Sequence, residues 1–418
     1  VARRSSIARR NIVSQTHPPR SARHNRKEEK TLEIKRLPED FQVEELSDVR
    51  PSTGDFALYR LTKRWIGTPE AVDAVLRTWN VARRRVSYGG MKDFHAITRQ
   101  YLTIHRGPQR DFKAARFHLE YLGQTKFAFS SGDIRGNRFQ IVVRNLDDSD
   151  VAHLDTAITQ LAHDGIPNYF DEQRFGSVGA SGDFIARPWV LGDFERALWL
   201  ALVDPNEHDT PAEAKEKRTL EKSWGRWTEA KAALGRSHRR SLVTYLVDHP
   251  ADFRGAFGRL RVDMRRLYLS AFQSYLWNEV AAAYLRENLQ EGQFWMLPLR
   301  FGPAPYHHGL AEQQLSALRA VTLPYPSSRA TPDESQKPLY DAVLGRFGLT
   351  LEQMRVKYPR DCFFSRGGRR LIESVEFHGR QTDADEVYPG RKKLQLTFEL
   401  PRGAYATIAL KRLAASVP

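Results

Sequence analysis

A chain of 418 residues is too long for one ordinary core, so two domains are expected; no apolar run approaches the length of a membrane span. The single cysteine, Cys362, excludes a disulfide framework and a cysteine-rich zinc site, and fits the cell interior. The net charge is +15, and eight of the basic residues fall within residues 1–27, which hold no acid; the surplus of about seven on the remainder favours a polyanionic partner, most simply nucleic acid.

Residues 1–30 are rich in Arg and Ser, contain Pro18-Pro19 and lack hydrophobic periodicity, as a disordered basic arm does. An organellar transit peptide shares this composition, whereas a secretory signal would need an apolar segment that is missing. The chain opens on Val1 rather than Met, which leaves room for an N-terminus upstream. Residues 35–46 alternate around Phe41 and Val43 in the manner of a strand, and 56–61 form a second strand. A helix follows, capped by Thr68, with Pro69 at its first position and Val72, Val75, Leu76 and Trp79 on one stripe. Gly89-Gly90 predicts a tight or positive-φ turn, and 99–105 have the β-branched and aromatic bias of a strand. Asp93 is thereby expected on a loop leading into a sheet. Residues 136–144 read as a buried strand, and 150–163 as a helix ended by Gly165 and Pro167.

The pattern then changes. Residues 185–360 are mainly helical, with a basic cluster at Arg236, Arg239, Arg240, Arg254, Arg259 and Arg261 and a long helix over 264–287. His307-His308 falls in a Gly- and Pro-rich loop, and 323–333 is a second loop. Residues 394–400 alternate as a strand, and 401–407 lead to another short strand. Strand-like ends around a helical middle imply an insertion. One catalytic domain is expected from 31–185 and 361–418, with 186–360 inserted as a second.

The usual strong motifs do not occur: there is no P-loop, His-Glu-x-x-His, Cys-x-x-Cys or Gly-x-Ser-x-Gly. Asp383, Asp385 and Glu386 cluster as metal ligands can, although a hydrophilic turn is the better reading. A Lys-Asp pair in a turn is ordinarily a solvated surface pair. What sets Asp93 apart is its surroundings: Gly90-x-Lys92-Asp93-x-x-Ala96-x-Thr98-x-Gln100 resembles the catalytic signature of the TruD family of RNA pseudouridine synthases. Two further stretches are similar to the same family, Pro167-Asn168-Tyr169-Phe170 with Gln173-Arg174-Phe175-Gly176, and Leu400-Pro401-Arg402-Gly403-Ala404-Tyr405-Ala406-Thr407. Ser270-Ala271-Phe272-Gln273-Ser274 with Asn278 resembles a motif of the family's inserted domain. The resemblance runs from about Lys35 to Arg412 and is weakest across 186–360.

The resemblance implies an α+β fold. Its catalytic domain would carry a mixed, mostly antiparallel sheet with flanking helices, and its inserted TRUD domain would be a mainly helical α/β unit. It implies an isomerase that converts uridine to pseudouridine in tRNA, at position 13 in bacteria. Asp93 matches the catalytic aspartate, and Asn168 an asparagine that contacts that aspartate or the substrate. Phe170 matches the aromatic packed against the target nucleotide; Phe41 and Tyr405 match aromatics lining the site, and Lys35 and Lys92 basic residues near it. The family often has Phe where Tyr405 stands, and many members have Gly in place of Asp171. The chemistry needs a carboxylate near the sugar as nucleophile or base, and aromatic and amide groups to hold an unstacked base. It needs no metal and no cofactor. A lysine beside the aspartate helps keep it ionised. A cytoplasmic monomer acting on tRNA, away from membranes, is the resulting expectation. Its rivals are a non-catalytic RNA-binding or RNA-chaperone protein on the same scaffold, and a metal-dependent nuclease using Asp383, Asp385 and Glu386.

Overall fold

The computed structural model describes residues 32–92, 94 and 96–417; the basic arm over 1–30, and Asp93 and His95 within the motif, lie outside the described residues. Nine strands form one sheet: β1 (Phe41–Leu46), β2 (Phe56–Arg64), β3 (Val86–Tyr88), β4 (Ile97–His105), β5 (Phe112–Ala114), β6 (Phe117–Thr125), β7 (Gly136–Leu146), β8 (Glu376–Ala384) and β9 (Lys392–Pro401). Their order is β8-β9-β7-β1-β4-β2-β6-β5, with β3 also paired to β4. Every pairing is antiparallel except β1 with β4. Two strands share one edge of β4: β1 pairs with Ile97 to Arg99, and β3 with Leu102 to Ile104. The β3–β4 connection, which carries the Lys92-Asp93 motif, departs from the junction between them.

Alternation along β1, β7 and β9 builds three cross-strand rows on one face. They are Phe41/Ile141/Leu396, Val43/Phe139/Phe398 and Glu45/Asn137/Leu400. Two apolar rows thus end in a polar one. Helix Asp148–Asp164 adds Leu154, Ile158 and Leu161 to this core, and the helical middle of the chain joins it without a break. At the other end of the sheet, helix Thr68–Trp79 lays Ala71, Val72, Val75 and Leu76 on Tyr59, Leu61, Leu102 and Leu119 in a separate core. Helix Val262–Asn288 runs through the large core and is buried on most sides, at Leu269, Phe272, Leu276, Trp277 and Val280 among others.

Several expectations give way to tertiary packing. After residue 405 the chain forms helix Ala406–Ala414 rather than a strand; a few apolar residues fit either period, and burial of Ile408, Ala409 and Leu413 against the core selects the helix. His307 lies in strand Ala304–His307, fully buried, with its Nε2 2.9 Å from the Asp164 carbonyl, not in a loop. Thr322–Pro324, at the start of the expected loop, pairs with Gly368–Arg370. The basic cluster of the helical region is largely spent internally: Arg239 pairs with Glu216, Arg261 with Asp263, and Arg259 stacks on Tyr245.

Candidate active site

The chain just before residue 93 is held by groups from five elements. Gln100 of β4 donates Nε2–H to the Gly90 carbonyl at 3.1 Å and accepts the Thr68 hydroxyl at 2.7 Å. That hydroxyl in turn accepts the Lys92 amide at 3.1 Å, and Lys63 of β2 donates to the Lys92 carbonyl at 3.2 Å. The Lys92 ammonium turns into the sheet, 2.7 Å from Asn137 Oδ1 and 3.1 Å from Glu45 Oε1. Both backbone polar groups of Lys92 and its charge are therefore engaged beneath the loop. Thr68 is not the helix cap expected of it: Gly67 takes that position, and the Thr68 hydroxyl links the helix start to the motif. The glycine pair follows directly on the end of β3 at Tyr88, and neither residue has a positive φ. Gly89 packs closely, since a Cβ there would meet the end of the Ile134 side chain at 2.3 Å and displace it.

Glu45 has no solvent-exposed side-chain surface. Burial pushes its carboxyl pKa up, against the opposing pull of Lys92 and of the Tyr101 amide, which donates at 2.9 Å. On the outer side of the loop Met91 is 75% exposed and Phe94 is also exposed, its ring 6.4 Å from that of Trp65.

A second cluster gathers around Phe170. Its backbone N–H donates to Asn278 Oδ1 and its carbonyl accepts from Asn278 Nδ2, both at 2.8 Å, so the long helix sets its position. Its ring meets those of Trp277 at 5.7 Å and Tyr325 and Tyr405 at 6.2 Å. The Arg369 guanidinium lies 4.2 Å over it. Arg369 is buried, and burial works against its charge; the aromatic faces and the carbonyls of Asn168 (2.6 Å) and Gly403 (2.8 Å) offset that cost. Asn168 is buried too, donating Nδ2–H to the Arg370 carbonyl at 3.0 Å and to Glu373 at 3.3 Å. Its Oδ1 has no protein partner among the described residues. Burial raises the phenol pKa of Tyr405. Phe41 is buried against Phe139 with the Lys35 ammonium 4.0 Å over its ring.

The C-terminal turn joins the two clusters. Asn137 lies opposite both Glu45 and Leu400, Arg402 N–H donates to the Arg135 carbonyl at 3.1 Å, and Gly403 receives Arg369. From Pro401 to Tyr405 the chain can span no more than about 14 Å, so this turn links the strand beside the Lys92 anchor to the Phe170 cluster. Asp171 adopts φ −101°, which needs no glycine, and its buried carboxylate is matched by Lys411 at 2.9 Å. Of the acidic candidates near the C-terminus, Asp385 and Glu386 are committed to the buried Arg144 at 2.8 and 3.0 Å, together with Asp40 at 2.8 Å.

Sequence reasoning missed Glu45, Lys63, Arg369 and Glu373. Glu45 carried a readable signal, a carboxylate at the inward position that Phe41 and Val43 predict to be apolar. Arg369 carried none, because its aromatic partners Phe170, Trp277 and Tyr405 come from three distant segments.

The mostly antiparallel sheet, its flanking helices and the long helical stretch between β7 and β8 define a pseudouridine synthase of the TruD type as the fold class. The family profile described as tRNA pseudouridine synthase D (TruD) matches residues 26–413. The chain is 30% identical over 390 residues to the probable tRNA pseudouridine synthase D 2 of Methanocaldococcus jannaschii, covering 91% of each. It is 27% identical over 395 residues to the tRNA pseudouridine synthase D of Leptospira interrogans, covering 91% of this chain and 95% of that one. A crystal structure of the putative tRNA pseudouridine synthase D (TruD) from Methanosarcina mazei superposes with a TM-score of 0.67 at 25% identity, covering 92% of this chain and 93% of that one. The chain belongs to the TruD family.

Proposed function

We propose that this protein is a tRNA pseudouridine synthase, an isomerase that detaches the uracil of one uridine and rejoins it through C5. The observation that carries the reading is the family match over 26–413, with the Gly90 to Gln100 motif intact and its Lys92 held by Thr68, Lys63, Glu45 and Asn137. Asp93 is the group that acts at the sugar. As a nucleophile its carboxylate bonds to C1′ while N1 leaves with the bonding pair; the freed uracil turns, C5 bonds to C1′ as the carboxylate departs, and the C5 proton is lost as N1 gains one. As a base it instead removes the 2′ proton while N1 leaves with the bonding pair, giving a glycal; C5 then bonds to C1′ as the protonated carboxyl returns the proton to C2′, and the C5 proton is lost as N1 gains one.

In this reading Lys92 positions the loop and supports the charge of Asp93 at short range, while Lys35 and Phe41 border the site. Phe170 and Tyr405 hold the extruded base, and the unpartnered Asn168 Oδ1 accepts a hydrogen bond from the nucleotide or from protonated Asp93. Residues 31–185 and 361–418 form the catalytic unit and 186–360 the inserted one. The target is uridine 13 of tRNA, in the cytoplasm, with the protein acting as a monomer. No helix among the described residues is long and apolar enough to cross a membrane.

The test is single-turnover release of tritium from tRNA labelled at uridine C5, in chelator, with Asp93→Asn alongside. Release by the parent and none by the variant, with tRNA binding retained by both, is expected; mapping the product then gives the position. Binding without release by the parent would leave only an RNA-binding protein, and equal release by both would remove Asp93 from the chemistry.

A further inference from the structure

The helical region holds a cavity of about 730 Å³ that the reaction does not use. Six cations line it, Arg254, Arg329, Arg355, Lys357, Arg360 and Arg366, and no acidic side chain does. Only Arg254 is engaged, stacked 4.4 Å over Tyr358; the other five make no side-chain hydrogen bond or ion pair among the described residues and are exposed. The one carboxylate beside them in sequence, Asp361, is held by Arg265 at 2.6 and 2.8 Å. Free cations facing one space with no counter-charge create a strongly positive potential there.

Phe363 lines this cavity and is 75% exposed. It is not on a loose loop. Cys362 and Phe364 on either side are buried, Asp361 is tied to Arg265, and Gln273 of the long helix bonds Ser365 through both its carbonyl (2.8 Å) and its amide (3.0 Å). A rigid stretch thus presents a bare ring to solvent. Phe363 also lines a second cavity of about 390 Å³ that reaches Arg174. Arg174 donates to Ser274 at 3.0 Å and lies 5.6 Å over Phe170. A path therefore leads from the Phe170 cluster past Arg174 and Phe363 into the basic cavity.

We propose that this cavity is a second RNA-binding site. Its cations take the phosphates of a substrate segment outside the target nucleotide, and Phe363 stacks on one of that segment's bases. A small anion would need neither the spread of cations nor the ring, whereas a nucleic acid strand presents repeated phosphates and π faces together. The inference rests on tRNA being the substrate.

The test measures affinity of the full chain for fluorescently labelled tRNA across a salt series. The combined variant Arg355→Ala/Lys357→Ala/Arg360→Ala should bind roughly tenfold more weakly near 0.15 M salt, with a log–log salt slope shallower by about 2. Phe363→Ala should weaken binding about tenfold with the slope unchanged, and Phe363→Trp should bind as the parent does. Parent-like affinity in the combined variant and in Phe363→Ala would overturn the proposal, as would reduced tritium release at saturating tRNA with unaltered affinity. Weaker binding by the variants alongside a parent that never releases tritium would defeat the enzymatic reading and leave the RNA site standing.

Discussion

Replacing Lys92 by Met keeps the aliphatic stem and removes the charge that faces Glu45. The Lys92 side chain is 14% exposed and that of Glu45 not at all, so the loss is that of a buried pair. Breaking such a pair costs about 3–5 kcal/mol, against at most about 1 kcal/mol for a surface pair; the residual exposure of Lys92 places the expectation near the lower end. The pH dependence carries the sharper test. Burial already holds the Glu45 pKa up, and Lys92 is the largest influence opposing it. Without Lys92 the folded pKa rises further, so the folded state binds a proton that the unfolded chain releases near pH 4.3. Stability then falls as pH rises from that value through the folded pKa, and the penalty is smaller in acid and full at neutral pH. Unfolding followed by tryptophan fluorescence at pH 5 and pH 8 measures both. Lys92→Met/Glu45→Gln should recover most of the stability, because no buried carboxylate is left unpaired. Tritium release should still drop, by about 10²-fold, since displacement of a reacting group by about 1 Å is enough for that. A single variant within about 1 kcal/mol of the parent at both pH values would show that Lys92 is in effect solvated and refute the anchor.

Asn278→Ala leaves the buried N–H and C=O of Phe170 unsatisfied, and should cost about 2–4 kcal/mol and lower the rate of tritium release; parent stability in denaturant would show that water replaces the amide. His307 is held neutral because burial pushes its pKa down. The unfolded chain takes up a proton near pH 6.5 that the folded one refuses, so stability is lost as pH falls below that value. His307→Gln should flatten the stability profile between pH 5 and 7, and an unchanged slope would assign it to other groups. Tyr405→Phe keeps the ring against Phe170 and should hold kcat/KM within about twofold, while Tyr405→Ala should lose about tenfold or more. Equal losses in both would place the hydroxyl in the reaction.

Local periodicity made β1, β9 and the helix at Asp148–Asp164 legible, because each buries one regular set of its own side chains, and the length of the apolar-rich run marked the helix at Val262–Asn288, which is buried on most sides. It misled at 406–414, where a short apolar run fits more than one period and the surrounding core selects between them, and the Gly- and Pro-rich composition around His307 suggested a loop where pairing with Phe294–Leu297 makes a strand. The three motif stretches could be recognised and their partners could not. The Thr68 hydroxyl suits a helix cap as well as a link to Gln100, and only the packing of that helix beside β4 decides its use. Charge behaved in the same way. Arginines of the sequence cluster, such as Arg239 and Arg261, are neutralised by Glu216 and Asp263, while the open cations of the basic cavity come from residues 329 and 355–366.

The chemistry and its family therefore reside in the linear order: Gly90, Lys92, Asp93, Ala96, Thr98 and Gln100 lie within eleven residues, and the elements around them follow from side-chain period and turn residues. The site's rigidity does not. Glu45 and Lys92 meet because β1 and β4 run parallel, and Arg369 can remain charged in the core because Phe170, Trp277 and Tyr405 converge on it from separate segments. Such contacts compensate buried charge only when distant parts of the chain are brought together, so folding alone creates them.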